Sequence, residues 1–191
     1  SIADYRVPEQ RSVSYARIET EAIRETVELT EEELRAAYED GVDEFTVPEQ
    51  VRARHILLRL PPDPDEETLA EVRDRAQALL DEIRGGADFA ALAETNSDDT
   101  VTATAGGDLG WFGRGRMAEE FEQASFELEP GNTSDLVQTT FGFHIIRVDG
   151  YRPEQVRPFE EVRPQLEQRI TWERAEEMAD QRAEEVRMAV L

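Results

Sequence analysis

Phe141-Gly142-Phe143-His144-Ile145-Ile146-Arg147-Val148 is the stretch from which the rest of the chain is read. Aromatic and β-branched residues crowd it, and they favour a pleated strand. Just upstream, Leu136-Val137-Gln138-Thr139 reads as a second strand, with Phe141-Gly142 between the two in a hairpin. A third strand, Val51 to Leu60, carries a matching motif, His55-Ile56-Leu57-Leu58. Its unbroken apolar run predicts a strand buried on both faces. Such strands need cover above and below.

Helices supply the cover. Leu69, Val72, Ala76, Leu79, Leu80 and Ile83 recur at spacings of three and four, predicting a helix from Glu66 to Arg84 that Gly85-Gly86 ends. Asp88 caps a short helix carrying Phe89, Leu92 and Ala93. Residues 94–110, polar and then glycine-rich, read as loop. Met117 to Phe126 reads as another short helix, and Pro130-Gly131-Asn132 as a turn.

Farther out, Thr30 and Glu33 form a capping box for a helix with Leu34, Ala37 and Tyr38 on its apolar face and Gly41 at its end. Arg11 to Ile18 alternates through Val13 and Tyr15 and reads as strand-like. From Pro158 to Leu191 one stripe runs through Phe159, Val162, Leu166, Ile170, Ala175, Met178, Ala179, Ala183 and Val186, with Pro164 tolerable in a first turn. A long helix apolar on one side must pack on something. The expected arrangement is an N-terminal segment 1–48, strand plus helix, packed with a helix at 155–191, and a domain at 49–152 inserted between them.

Acidic residues outnumber basic ones 44 to 21 in 191 residues, for a formal net charge of −23. That balance excludes a nucleic-acid partner, which needs clustered cations, and docking on an anionic membrane. No apolar run approaches the roughly 18 residues of a membrane span. Cysteine is absent, which removes disulfides and thiolate chemistry. Lysine is absent too. A lysine-free acidic surface fits adaptation to high salt, and equally a GC-rich genome that favours arginine codons. Ser1 is not a natural start, so the chain reads as an excised or processed segment.

The chain has only two histidines, His55 and His144, each inside a predicted strand. A lone strand histidine is ordinarily a satisfied core residue. Two in matching contexts point to a shared site, with a carboxylate from Ser97-Asp98-Asp99 as third member. Two histidines and an aspartate also suit a metal, but no ligand pair at helical or hairpin spacing supports one. There is no G-x-S-x-G elbow for a serine nucleophile. Gly106-Gly107-Asp108-Leu109-Gly110 lacks the lysine of a phosphate loop and reads as a place of positive φ or close backbone approach.

Residues 51–150 resemble a parvulin-type (PpiC, rotamase) peptidyl-prolyl cis-trans isomerase domain. The matching stretches are Arg52 to Leu57, Gly86-Ala87-Asp88-Phe89-Ala90-Ala91-Leu92-Ala93, Ser97-Asp98, Gly106 to Phe112, Met117 to Phe126, and then Gly131, Val137, Thr139 and Phe141 to Ile146, in that order. The flanks resemble those of membrane-anchored periplasmic foldases of the PpiD and SurA kind.

The resemblance implies an α+β fold, a four-stranded antiparallel sheet flanked by about four helices, with extra N- and C-terminal helical segments. It places His55 and His144 at the floor of the site, Asp99 beside them, and Thr139 bonded to the histidines. The loop from Asp98 to Gly107 is longer than in the shortest relatives, so Asp98 remains an alternative to Asp99. Leu109, Met117 and Phe121 are the implied proline pocket, with Phe112 and Phe141 at its edge. Implied also are an isomerase that needs no cofactor or metal, unfolded or proline-containing polypeptide clients, a periplasmic setting and a membrane anchor outside this segment. The other reading is a chaperone-like peptide binder with a weak or inactive isomerase domain.

Overall fold

The computed structural model describes Tyr15 and residues 17–190. In chain order the elements are α1 (Thr20–Arg24), α2 (Glu31–Asp40), β1 (Thr46–Val47), β2 (Gln50–Arg59), α3 (Glu66–Arg84), α4 (Phe89–Asn96), β3 (Asp108–Phe112), α5 (Glu119–Glu127), β4 (Val137–Thr139), β5 (Gly142–Arg152), β6 (Gln155–Val156) and α6 (Phe159–Val190). They fall into two compact units, Thr46–Val156 and the residues up to Phe45 together with those from Arg157 onward.

In the Thr46–Val156 unit, four antiparallel strands lie in the order β3-β2-β5-β4. Both central strands are covered on two faces, as the apolar run at Ile56-Leu57-Leu58 predicts. Ile56 and Leu58 of β2 and Phe143 and Ile145 of β5 pack under α3 and α4, against Ala76, Leu79, Leu80, Phe89 and Ala93. The alternate residues Val51, Ala53, Ile146 and Val148 face α5 and meet Phe112 and Phe121. Each fully buried large side chain here contributes about 1.5–3 kcal/mol. Asp88 caps α4 as expected, accepting from Ala90 and Ala91 N–H, and Asp65, which the sequence reading did not single out, caps α3 by accepting from Thr68 N–H. The α+β architecture is that of the implied family.

The loop expected at 94–110 is shorter than that reading. It ends in strand β3, whose Asp108 and Gly110 hide the alternation that would announce it. The two-residue pairing of β1 with β6 leaves no periodic signal either.

In the other unit, Leu34 of α2 is buried with Phe45, Phe159, Val162 and Leu166, and Leu29, Ala37, Tyr38 and Ile170 close around them. Tyr38 stacks on Phe45 at 5.4 Å between centroids and donates its hydroxyl to the Arg157 carbonyl at 2.7 Å. The Thr30–Glu33 capping box is present.

Two expectations need correction, and a third lies largely outside the described residues. Pro164 lies in the second turn of α6, not the first, so the Glu160 carbonyl loses its helical donor. The apolar stripe is covered through Ala179, but Ala183 and Val186 are exposed. The strand-like reading of Arg11 to Ile18 falls largely on residues 11–14 and 16, outside the described residues, and Arg17 to Glu19 lead into α1, a helix the sequence did not announce.

Candidate active site

β2 and β5 pair His55 with Ile146 and Leu57 with His144. The two histidines are therefore diagonal neighbours on one sheet face. Their rings stack at 5.5 Å with 18° between planes, and Nδ1 faces Nδ1 at 3.2 Å. Both are buried, at 6% and 5% exposure.

Thr139 ends β4, and its hydroxyl lies 2.8 Å from His144 Nε2 while accepting from the Phe141 N–H. At the other end of the chain of contacts, His55 Nε2 lies 2.9 Å from Asp99 Oδ2.

The free edge of β2 separates Asp99 from Asp98. β3 pairs with β2 only as far as Arg54, after which Gly107 takes the His55 N–H. Beyond that point the edge of β2 needs other partners. Ser97 Oγ accepts from Leu57 N–H, Asp98 N–H donates to the Leu57 carbonyl, and Asp98 Oδ2 accepts from Arg59 N–H. Asp98 is thus spent on the backbone, and Asp99 turns to His55. Thr102, which the sequence reading missed, donates its hydroxyl to Asp99 Oδ2 at 2.5 Å, and the Val101 N–H reaches Oδ1. An Asp whose carboxylate accepts from the amide two residues on is an Asx-turn, a signal that was available in Asp99-Thr100-Val101.

The Asp99 carboxylate sets the direction of this chain. Asp99 accepts only, so His55 Nε2 is the donor. His144 then donates its Nδ1–H to His55 Nδ1, and its Nε2 accepts from the Thr139 hydroxyl. Burial, aided by the neighbouring His55, lowers His144 to about 4 against the pull of Asp99, so its ring is neutral at pH 7. Burial pushes the Asp99 carboxyl up, but hydrogen bonds from Thr102, His55 and Val101 outweigh it and hold the group below its ordinary value.

Above this floor opens a cavity of about 200 Å³. Leu109, Met117, Phe121 and Phe141 line it together with His55, His144, Asp99 and Thr139; Leu57 and Ala118 complete it. Phe121 meets both imidazoles edge-on, at 5.6 and 5.3 Å. Phe112 does not reach the cavity. It is buried behind Phe121 at 6.3 Å, because its place on β3 turns it into the core under α5. Among the described residues no group of three or more His, Asp or Glu side chains is set to hold a metal. The imidazoles and the Asp99 carboxylate bond one another.

Residues 41–152 match the PPIC-type PPIASE domain family. A foldase protein PrsA of Oceanobacillus iheyensis is 40% identical over 170 residues, which cover 87% of this chain and 51% of that protein. The periplasmic chaperone PpiD of Escherichia coli is 30% identical, over 88% of this chain and 31% of its own length. Among solved structures, that reported for PEB4 and Cj1289, two SurA-like chaperones of Campylobacter jejuni, superimposes with a TM-score of 0.73 at 25% identity, covering 89% of this chain and 66% of that one. The chain spans about half the length, or less, of these curated relatives. The chain belongs to the PPIC-type peptidyl-prolyl isomerase family.

Proposed function

We propose that the protein is a peptidyl-prolyl cis-trans isomerase that acts on X–Pro bonds of unfolded or newly exported polypeptides. The observation that carries this is the cavity itself: an apolar wall of Leu109, Met117 and Phe121 over a floor of hydrogen-bonded, buried histidines.

The chemistry asks for little else. Amide resonance sets a barrier of about 18–20 kcal/mol. At the twisted transition state that resonance is lost and the carbonyl becomes less polar. A pocket that withholds water disfavours the planar, more polar ground state and favours the twisted one. A gain of about 10⁴ in rate needs only 5–6 kcal/mol. His144, neutral and pinned between Thr139 and His55, presents no charge that would draw water in. His55, Asp99 and Thr139 act as positioning groups for the cavity floor. Nothing in the arrangement calls for a covalent step.

The names of the relatives support the wider setting. PpiD is a periplasmic chaperone, and an extracytoplasmic site with polypeptide clients fits a foldase of this family. A membrane tether outside residues 1–191 belongs to the same reading. So does the inserted arrangement, in which the isomerase unit is carried by the helical unit of α1, α2 and α6. The lysine-free surface and charge of −23 support a high-salt habitat.

A second reading, a peptide-binding chaperone with weak catalysis, draws on the chaperone names of PpiD and the SurA-like proteins. A protease-coupled assay on a short X–Pro peptide separates the two. Isomerisation well above the spontaneous rate supports the isomerase. Binding without acceleration supports the chaperone.

A further inference from the structure

Beside the proline cavity lies a second, larger one of about 580 Å³. Leu109 and Met117 wall both. A polypeptide with its proline in the first cavity therefore has the second beside it across Met117.

The charges of this second cavity are unevenly spent. Glu49 accepts from Arg114 at 2.5 Å and from the Tyr151 hydroxyl at 2.7 Å, and the Arg114 guanidinium lies over Phe126. The Trp111 ring is covered by Arg152 at 3.9 Å. Arg116 differs. It is exposed, it precedes Met117 in the chain, and it has no hydrogen-bond or ion-pair partner among the described residues. Glu154, the other carboxylate of the lining, stands between β5 and β6, at the Gln50 end of the sheet and away in sequence from Met117.

We propose that Arg116 is a specificity-determining residue that receives an acidic side chain within two residues of the substrate proline. This rests on the isomerase reading of the neighbouring cavity. The preference would run against the rest of the molecule, because a net charge of −23 favours basic peptides at every position. At 0.15 M salt the Debye length is about 8 Å, so distant carboxylates are largely screened while a direct contact to Arg116 is not.

The test uses the full chain at 0.15 M NaCl and peptides carrying Glu, Gln or Lys at each of the two positions on either side of proline. Turnover is read by exchange NMR. Binding is read separately from Trp111 fluorescence in a Trp172→Phe background, which leaves one tryptophan, at this cavity. The expected result is a Glu-over-Lys ratio of about two- to fivefold at one flank, the size of an exposed ion pair. Arg116→Glu should invert that ratio, Arg116→Gln abolish it and Arg116→Lys retain it. The ratio is the readout, so a general loss of activity does not confuse it. Lys equal to or better than Glu at every flank, or a Glu preference that survives Arg116→Glu, overturns the proposal. If peptides bind with the Arg116-dependent ratio but are not isomerised, the isomerase reading fails and the role of Arg116 stands. If they are isomerised without a charge preference, only the Arg116 proposal fails.

Discussion

The Gly107 carbonyl accepts the His55 N–H at 2.9 Å, and a Cβ on Gly107 would stand 2.2 Å from the His55 carbonyl oxygen. The glycine loop and the first histidine are thus in backbone contact, at a residue whose φ is +77°. Gly107→Ala should therefore move β2 at the site and cost about 2–3 kcal/mol or more. Gly115 has a similar φ of +76° but open space around it, so Gly115→Ala should cost only the conformational strain of about 1–2 kcal/mol. Thermal unfolding of both variants checks this. Equal losses would mean that close approach to His55 does not matter.

Acid should weaken the fold through His144. Its folded value, about 4, lies below the ordinary 6.5, so protons bind the unfolded chain more readily. The stabilisation is present above pH 6.5 and is lost as pH falls toward 4, by roughly 3 kcal/mol in all. Asp99, also held low, adds a loss in the same direction at lower pH. Denaturant titrations from pH 7 to 4 should show the decline, and His144→Asn should flatten it. An unchanged slope in that variant would contradict the buried neutral ring.

Much of this was legible in the sequence, for reasons that can be named. Ile56-Leu57-Leu58 and Phe143 to Ile146 announced central strands because both faces are buried, and two histidines in matching strands announced a shared floor. Thr30 with Glu33 marked a helix start because the cap is local in sequence. What escaped depends on contacts distant in the chain. Strand β3 is held by its partner β2 and not by its own alternation. Phe112 faces α5 because of that register. The choice of Asp99 follows from unpaired edge groups at Leu57 and Arg59, which no pattern within residues 97–99 displays. The Asx-turn Asp99-Thr100-Val101 was readable in the sequence and places Thr102, the next residue, beside the Asp99 carboxylate.

A phosphate before proline should bring no advantage beyond the few-fold that any acidic side chain gains from Arg116. The loop after β2 carries Asp63 and Asp65, and the first turn of α3 adds Glu66 and Glu67; such a run repels a dianion. Turnover of phosphoSer-Pro and Ser-Pro peptides should agree within a few-fold. A tenfold preference for the phosphopeptide, about 1.4 kcal/mol, would overturn this.

Salt should raise the thermal midpoint. At 0.01 M the Debye length is about 30 Å and most of the 44 carboxylates feel one another; at 1 M it is about 3 Å. Exposed pairs such as Arg35–Glu31, Arg157–Glu161 and Arg187–Glu184 offset only a few tenths of a kcal/mol each. Scans from 0.01 to 1 M NaCl test this. A flat or falling midpoint would favour codon usage as the reason for the missing lysines.

Isomerisation at the His55–His144 cavity is tested most directly by exchange NMR on a neutral Ala-Pro peptide, with the parent chain and Met117→Ala side by side. Met117 is only partly buried, so its truncation opens the apolar wall while the sheet stays folded. The parent should speed cis-trans exchange by orders of magnitude, and Met117→Ala should lower kcat/KM by about tenfold, 1.4 kcal/mol of lost transition-state stabilisation. Parent-level turnover in a folded Met117→Ala protein, or no acceleration by the parent at all, would contradict catalysis at this cavity.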